Sequence, residues 1–393
     1  MSTEERTEIV VIPPKVKIKK HIRHIVSCRL CEKSEIRTPI IKANMPYPAI
    51  PGSLASSSLI AYIMDQKYTN GLPLYRQEKQ FERLGIFLPR QNLSNWVIKG
   101  AAWLEILYNR MHKLLLQKDI LHADETTTQV LKENGREAKS KSYMWLYRTG
   151  SEGKAIVLYD YQTTRAGKHP EEFLEGFKGY LQVDAYTGYH NIPNVILVGC
   201  WAHARRGFAE IVKALSSDDV SIAKEGLTFC NQLYSIEHKI MDLTPEEKYE
   251  IRNNDSREIL DDFLVWLKNQ AEEILPNCKL GKAIKYCLNQ WDNLGRYLLD
   301  GRLEIDNNRA ERSIKPFVIG RKNWLFSNTP KGAKSSAIIY SVIETAKENN
   351  IKPIEYLTYL FDRLPNVDLN DEQILDTLLP WSDELPKNCK LNT

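Results

Sequence analysis

The spacing of apolar positions changes three times along the chain. From Leu54 to about Lys118 apolar residues recur at helical intervals, with Leu59, Ile60, Ile63 and Met64 sharing a face. Leu72-Pro73-Leu74 opens a second helix that passes Phe81 and Leu84 and stops at Gly85, and Pro89 opens a third. At Asp119 the period shortens to that of strands. Segments 120–126, 142–147 and 155–160 predict a three-strand meander, followed by a helix over 169–177 and two further strands at 180–186 and 195–200. Helical spacing returns from Trp201 to about Leu299. Residues 333–349 predict an amphipathic closing helix, with Pro353 beyond its end.

Three strands, a helix, a strand, a connection and a strand is the order of an α/β fold, a ribonuclease-H-like mixed sheet with flanking helices. The expected organisation has four parts. Residues 1–53 form a basic N-terminal segment with one Cys pair and a linker marked by Pro39, Pro46, Pro48 and Pro51. Residues 54–118 form a helical, helix-turn-helix-like DNA-binding domain, and 119–350 a catalytic domain with a helical insertion at about 213–299. Residues 351–393 form a helical appendage. The helix-turn-helix expectation rests on a Gly-containing turn before a helix that starts with Arg90, Gln91, Asn92 and Asn95, donors and acceptors suited to a major groove. Ordinary packing around Leu93, Trp96 and Val97 is the alternative.

Composition narrows the function classes only in part. The 393 residues are 42% hydrophobic and carry a net charge of +4, too little to identify a nucleic-acid partner without local clustering. Such clusters occur at Lys15 to Arg29 and around the later motifs. No apolar run approaches the roughly 18 residues that span a membrane. Seven cysteines, mostly scattered, argue against a disulfide framework, so a cytoplasmic protein is expected, associated with the nucleoid when bound to DNA. Cys28 and Cys31 supply half of a tetrahedral Zn2+ site, with His21 and His24 as candidates for the other half. A metal-free remnant is the alternative.

The densest chemistry lies between Arg302 and Phe326. Asp306 is a good N-cap, so a helix is expected from Asn307, with Glu311 and Lys315 on one face and an end or kink at Pro316. Asp124 near the first strand, Asp184 at the end of the fourth and Glu311 on this helix are three carboxylates that one sheet can bring together. Such a set suits two Mg2+ or Mn2+ ions and an in-line phosphodiester displacement. Glu125 and Asp306 compete for the same role. His203, Arg205, Arg206, Arg309, Arg312, Lys315, Arg321 and Lys322 are candidates for gripping phosphates, and a solvated surface is the alternative for each.

Six phrases also carry a resemblance. They are Leu72 to Gln77, His122 to Thr126, Gln182 to Tyr189, Trp201 to Arg206, Asp306 to Arg312 and Gly320 to Phe326. Together they resemble the transposases of insertion-sequence family sixty-six, the TnpC type, over about residues 7–364. The resemblance implies a DDE transposase with a ribonuclease-H-like catalytic domain, in which Asp124, Asp184 and Glu311 are the metal-binding acids. It implies two small accessory proteins encoded alongside, and a further upstream segment with another cysteine pair. The expected activity is binding of double-stranded DNA at element ends, cleavage by metal-activated water, and transfer of the 3'-hydroxyl to target DNA by a homo-oligomer. A truncated, non-catalytic DNA-binding regulator and a related metal-dependent nuclease are the alternatives.

Overall fold

The computed structural model describes residues 6–9, 15–33, 40–214 and 221–391, and the chain divides after Tyr47 into two units. In the first, β1 (Ile25–Ser27) pairs antiparallel with β2 (Ile40–Lys42), and helix α1 (Arg29–Lys33) lies between them in sequence. Both strands are exposed. Arg23 Nε donates to the Ala43 carbonyl at 2.7 Å.

The second unit begins with three helices whose limits follow from capping. The Ser56 hydroxyl accepts the Leu59 N–H ahead of α2 (Ser57–Tyr68), and Pro73 and Pro89 precede α3 (Leu74–Arg83) and α4 (Arg90–Leu115). The predicted stop at Gly85 holds, with that residue at φ +78°. Leu93, Val97, Ala101 and Leu104 of α4 share one apolar core with the sheet and with the closing helices. Segment 54–118 is thus packed into the same unit as the strands.

The sheet comprises β3 (Ile120–Gln129), β4 (Lys141–Thr149), β5 (Val157–Gln162), β6 (Gly179–Gln182) and β7 (Val195–Val198), with the short helix α5 (Lys168–Phe173) between β5 and β6. Its order is β5-β4-β3-β6-β7, antiparallel through β3 and parallel beyond it. Every expected strand is present. The fourth is shorter than the sequence suggests, because Asp184 Oδ1 accepts the Tyr186 N–H at 2.8 Å and turns the chain out of the ladder. At the other end of β6, Gly179 sits at φ +148°, and a Cβ there would lie 2.2 Å from the Asp119 carbonyl oxygen. Glycine is what lets β6 enter beside β3.

After β7 come α6 (Trp201–Lys213), α7 (Ile222–Lys239), α8 (Pro245–Ile251), α9 (Arg257–Glu273), α10 (Lys279–Asn289) and α11 (Trp291–Gly295), which build a second core around Phe208, Leu233, Phe263 and Ile284. The chain then returns to the sheet with α12 (Asn308–Trp324), α13 (Pro330–Glu348), α14 (Pro353–Arg363) and α15 (Glu372–Thr377). Helix α13 is buried on every side from Ser335 to Ala346, not amphipathic as its sequence suggests. Its Ser341 and Thr345 hydroxyls accept the Tyr159 and Val157 N–H groups at 2.8 and 2.9 Å, covering the edge of β5.

Helix α12 starts later than expected and does not end at Pro316. It begins at Asn308, one residue late, and it runs through Pro316 to Trp324. Proline removes a donor and costs about 3 kcal/mol inside a helix. Burial of Ile314 and Phe317, at about 1.5–3 kcal/mol each, offsets that cost. The Tyr159 hydroxyl also donates to the Ser313 carbonyl in the same turn.

Candidate active site

The register of β3 on β6 determines how two of the acids meet. Ile120 opposes Tyr180, Leu121 opposes Leu181 and His122 opposes Gln182. Asp124 and Asp184 each lie two residues beyond the last pair of that ladder, His122 and Gln182, and the charge of Asp184 acts on Asp124. Side chains alternate along a strand, so Asp124 shares a face with His122. Both His122 and Gln182 bond to the segment leading into α12. His122 Nδ1 is 3.0 Å from Asn307 Oδ1, and Gln182 Nε2 donates to the carbonyls of Glu304 and Asp306.

Helix α12 is tied to β3 at both ends, which carries Glu311 to the same place. At its start, Asn307 Nδ2 donates to the Ala123 carbonyl at 2.8 Å while its Oδ1 meets His122. Because that amide's nitrogen is committed to a carbonyl, its oxygen accepts, and neutral His122 carries its proton on Nδ1. Burial holds His122 down at about 3, so it stays neutral. At the far end Ser327 N–H donates to Gln129 and Leu131 N–H to Ser327, at 2.9 and 3.0 Å. Between the ties Arg321 reaches the Thr126 and Thr127 hydroxyls at 3.3 Å. Glu311 lies four residues past Asn307, a rise of about 6 Å on a helix. Asp124 lies one to two residues past the tied part of β3, about 3–7 Å along a strand. The charge of Glu311 is accordingly felt at Asp124.

Electrostatics marks this cluster as unneutralised. Asp124 is pushed up to about 8, first by burial and then by the charges of Glu125, Asp184 and Glu311; only the Glu125 N–H, at 2.8 Å, pulls the other way. The competing acids are already satisfied. Glu125 is held by Arg165 and by the Tyr189 hydroxyl at 2.5 Å. Asp306 accepts the Tyr234 hydroxyl at 2.8 Å and the Asn308 N–H and side-chain amide at 3.0 and 2.7 Å. Glu311 does not pair with Lys315 among the described residues. It turns toward α6, with His203 Nδ1 and an Arg206 nitrogen each 3.8 Å away, and its Oε1 is buried without a hydrogen bond. Hard carboxylate oxygens, one with an orphaned atom and one with a strongly raised pKa, fit a divalent cation of the Mg2+ or Mn2+ type.

Two family models match most of the chain. The sequence model described as the IS66 family of transposases matches residues 52–335, and that of the IS66 C-terminal element matches 341–381. The chain belongs to the IS66 transposase family. Among curated relatives, the uncharacterized protein y4jD of Sinorhizobium fredii is 31% identical over 97% of this chain and 75% of its own length. The uncharacterized protein y4qI of the same organism is 29% identical over 96% and 71%.

In this IS66 chain the expected DNA-contacting residues divide by their partners. Arg90, Gln91, Asn92 and Asn95 are exposed on the first turns of α4. Arg205, Arg206, Arg312, Lys315 and Lys322 are exposed cations on α6 and α12, although Arg205 also donates to Asn231 at 2.8 Å. Arg309 is engaged by Glu304, and Arg321 is occupied on β3 as described, leaving them less free. Among the described residues, Cys28 and Cys31 are not joined by a third candidate ligand; the group of three that does form is Cys200, His203 and Glu311. Three side chains of the site escaped sequence reasoning: Asn307, Arg165 and Cys200. Asn307 lay inside a quoted phrase but looked like a helix start. Arg165 and Cys200 carry no local signal.

No helix among the described residues is long and apolar enough to cross a membrane.

Proposed function

We propose that this protein is a DDE transposase whose sheet is ribonuclease-H-like, with Asp124, Asp184 and Glu311 as its catalytic, metal-binding acids. The observation that supports the reading is the crowding of Asp124 by the charges of Asp184 and Glu311, with Glu311 on a helix tied at both ends to the strand of Asp124. Bound Mg2+ or Mn2+ would stabilise charge on the phosphodiester oxygens and lower the pKa of a water nucleophile. The chain's own contribution is position. Asn307 and Ser327 fix the helix, Arg165 and Tyr189 keep Glu125 out of the ligand set, and Arg206, Arg312, Lys315 and Lys322 supply cations for DNA phosphates. The first turns of α4, with Arg90, Gln91, Asn92 and Asn95, read the element ends, and strand transfer follows from the 3'-hydroxyl set free by cleavage.

The test is incubation of purified protein with labelled duplex from both flanks of its gene, with Mg2+ or Mn2+, scoring nicking and joining. Asp184→Ala and Glu311→Ala are expected to abolish both while retaining DNA retardation. Cleavage that survives Asp184→Ala sinks the assignment. Retardation without cleavage in the wild type favours a DNA-binding regulator.

A further inference from the structure

Glu311 belongs to a second constellation as well as to the acid cluster. Cys200 immediately precedes α6 and His203 lies in its first turn, three positions on, so both fall on one face. The ligand atoms of Cys200, His203 and Glu311 all lie within 4.8 Å of one another. His203 Nδ1 and Glu311 Oε1 are 3.8 Å apart, and each is buried without a hydrogen-bond partner. In a tetrahedral site with Zn–N and Zn–O bonds near 2.0–2.1 Å and Zn–S near 2.3 Å, donor atoms stand about 3.3–3.6 Å apart. Small side-chain movements close that difference.

We propose that Cys200, His203 and Glu311 form a binding site for a borderline-soft transition-metal ion such as Zn2+, and that its occupation withdraws Glu311 from the acid cluster, so zinc inhibits cleavage. The donor set decides the class of metal, since one sulfur, one imidazole nitrogen and one carboxylate oxygen select Zn2+ over Mg2+. Binding replaces the Cys200 S–H bond with a sulfur–metal bond and releases the proton to solvent. The thiolate so formed has donors ready. The Asn307 N–H lies 3.2 Å from Sγ, and the His203 and Ala202 N–H groups act on it in the same sense, against the burial that otherwise holds the thiol near 12. An ion there also satisfies the two orphaned polar atoms. The inhibitory part of this inference rests on the proposed transposase reading; the metal site does not.

The test uses Co2+ as a spectroscopic probe, titrated into the full chain carrying Cys28→Ser and Cys31→Ser. One Co2+ per chain with a near-ultraviolet thiolate-to-metal charge-transfer band is expected, lost on addition of Cys200→Ser. Should that variant fail to fold, His203→Asn, at a half-exposed side chain without a hydrogen bond, is expected to weaken Co2+ binding by more than about tenfold. A band that persists with Cys200→Ser, a band that never forms, or an affinity indifferent to His203→Asn overturns the site. Nicking is measured separately in Mn2+ with and without micromolar Zn2+. Nicking without a cobalt–thiolate band leaves the transposase reading standing and the zinc site refuted, and a band without nicking does the reverse. A band together with nicking that zinc leaves untouched refutes the inhibitory role.

Discussion

Asp124→Asn is the substitution that most directly interrogates the acid cluster. In the metal-free protein Asp124 is raised from the ordinary 3.8 to about 8, so the folded state holds a proton that the unfolded chain gives up. The stability that goes with that proton is fully present below pH 4 and is lost progressively as pH rises to about 8. At about 1.4 kcal/mol for each tenfold change in proton affinity, the loss is about 3 kcal/mol at pH 6 and about 5 kcal/mol at pH 8. Asparagine keeps an acceptor for the Glu125 N–H and removes the charge. The variant is therefore expected to be more stable than wild type in EDTA, by about 2 kcal/mol more at pH 8 than at pH 6.

Urea denaturation at both pH values, followed by intrinsic fluorescence, measures the difference. Divalent metal is expected to narrow the gap. An ion that binds only the folded protein adds about 2.7 kcal/mol at one hundred times its Kd, and the variant forfeits that gain. If the gap between wild type and Asp124→Asn is the same at pH 6 and pH 8, Asp124 is not crowded by its acidic neighbours and the geometry proposed for the cluster fails.

Further expectations follow from the ties on α12 and from its last turn. Asn307→Ala removes bonds to His122 and the Ala123 carbonyl and leaves both buried, a cost of about 2–4 kcal/mol; urea midpoints check it, and nicking is expected to fall with DNA retardation intact. Leu325→Gly is expected to stabilise the protein by about 0.5–1 kcal/mol, because an exposed leucine there sits at φ +66°; a lower midpoint would mean that the side chain packs. Loss of the Tyr159 hydroxyl in Tyr159→Phe strips the Ser313 carbonyl of a donor beside Pro316, and a destabilisation of about 1–2 kcal/mol is expected by the same measurement.

The strand pattern was legible because period-two alternation and turn residues are local signals, and all five strands stand where the sequence sets them. Asp124, Asp184 and Glu311 were legible as candidates because a carboxylate at a strand end or beside cations is conspicuous in one dimension. What failed depended on distant partners. Pro316 was read as an end or a kink because its local cost is known; the helix does not end there, and the burial of Ile314 and Phe317 that offsets the cost is set by strands more than a hundred residues earlier. Helix α13 was read as amphipathic from the spacing of Ile338, Ile339, Val342, Ile343 and Ala346, whereas its Ser341 and Thr345 hydroxyls satisfy the edge of β5. Glu311 and Lys315 were set on one face from spacing alone, and the acid is within 3.8 Å of His203 and Arg206 on α6.

Adjacent acids such as Asp124 and Glu125 cannot be ranked by sequence, but their partners rank them. Glu125 has Arg165 and Tyr189, Glu133 has Arg136, Ser142 and Tyr161, Asp300 has Arg302, Glu304 has Arg309, and Asp306 has Tyr234 and Asn308. Each of these is a carboxylate whose charge the protein has answered. Asp124 has one backbone N–H and three acidic neighbours, and Glu311 has nitrogens of His203 and Arg206 at 3.8 Å and an orphaned oxygen. A buried like-charge cluster is expensive, and here it is enforced, since Gly179 seats β6 and the Asn307 and Ser327 ties hold α12 in register with β3. Rigid construction around an unanswered charge is costly for a fold but useful for binding a cation, because the ligands need little rearrangement when it arrives. On the two proposals made above, Glu311 serves either the acid set or the Cys200 and His203 set, and the identity of the metal would decide which it joins.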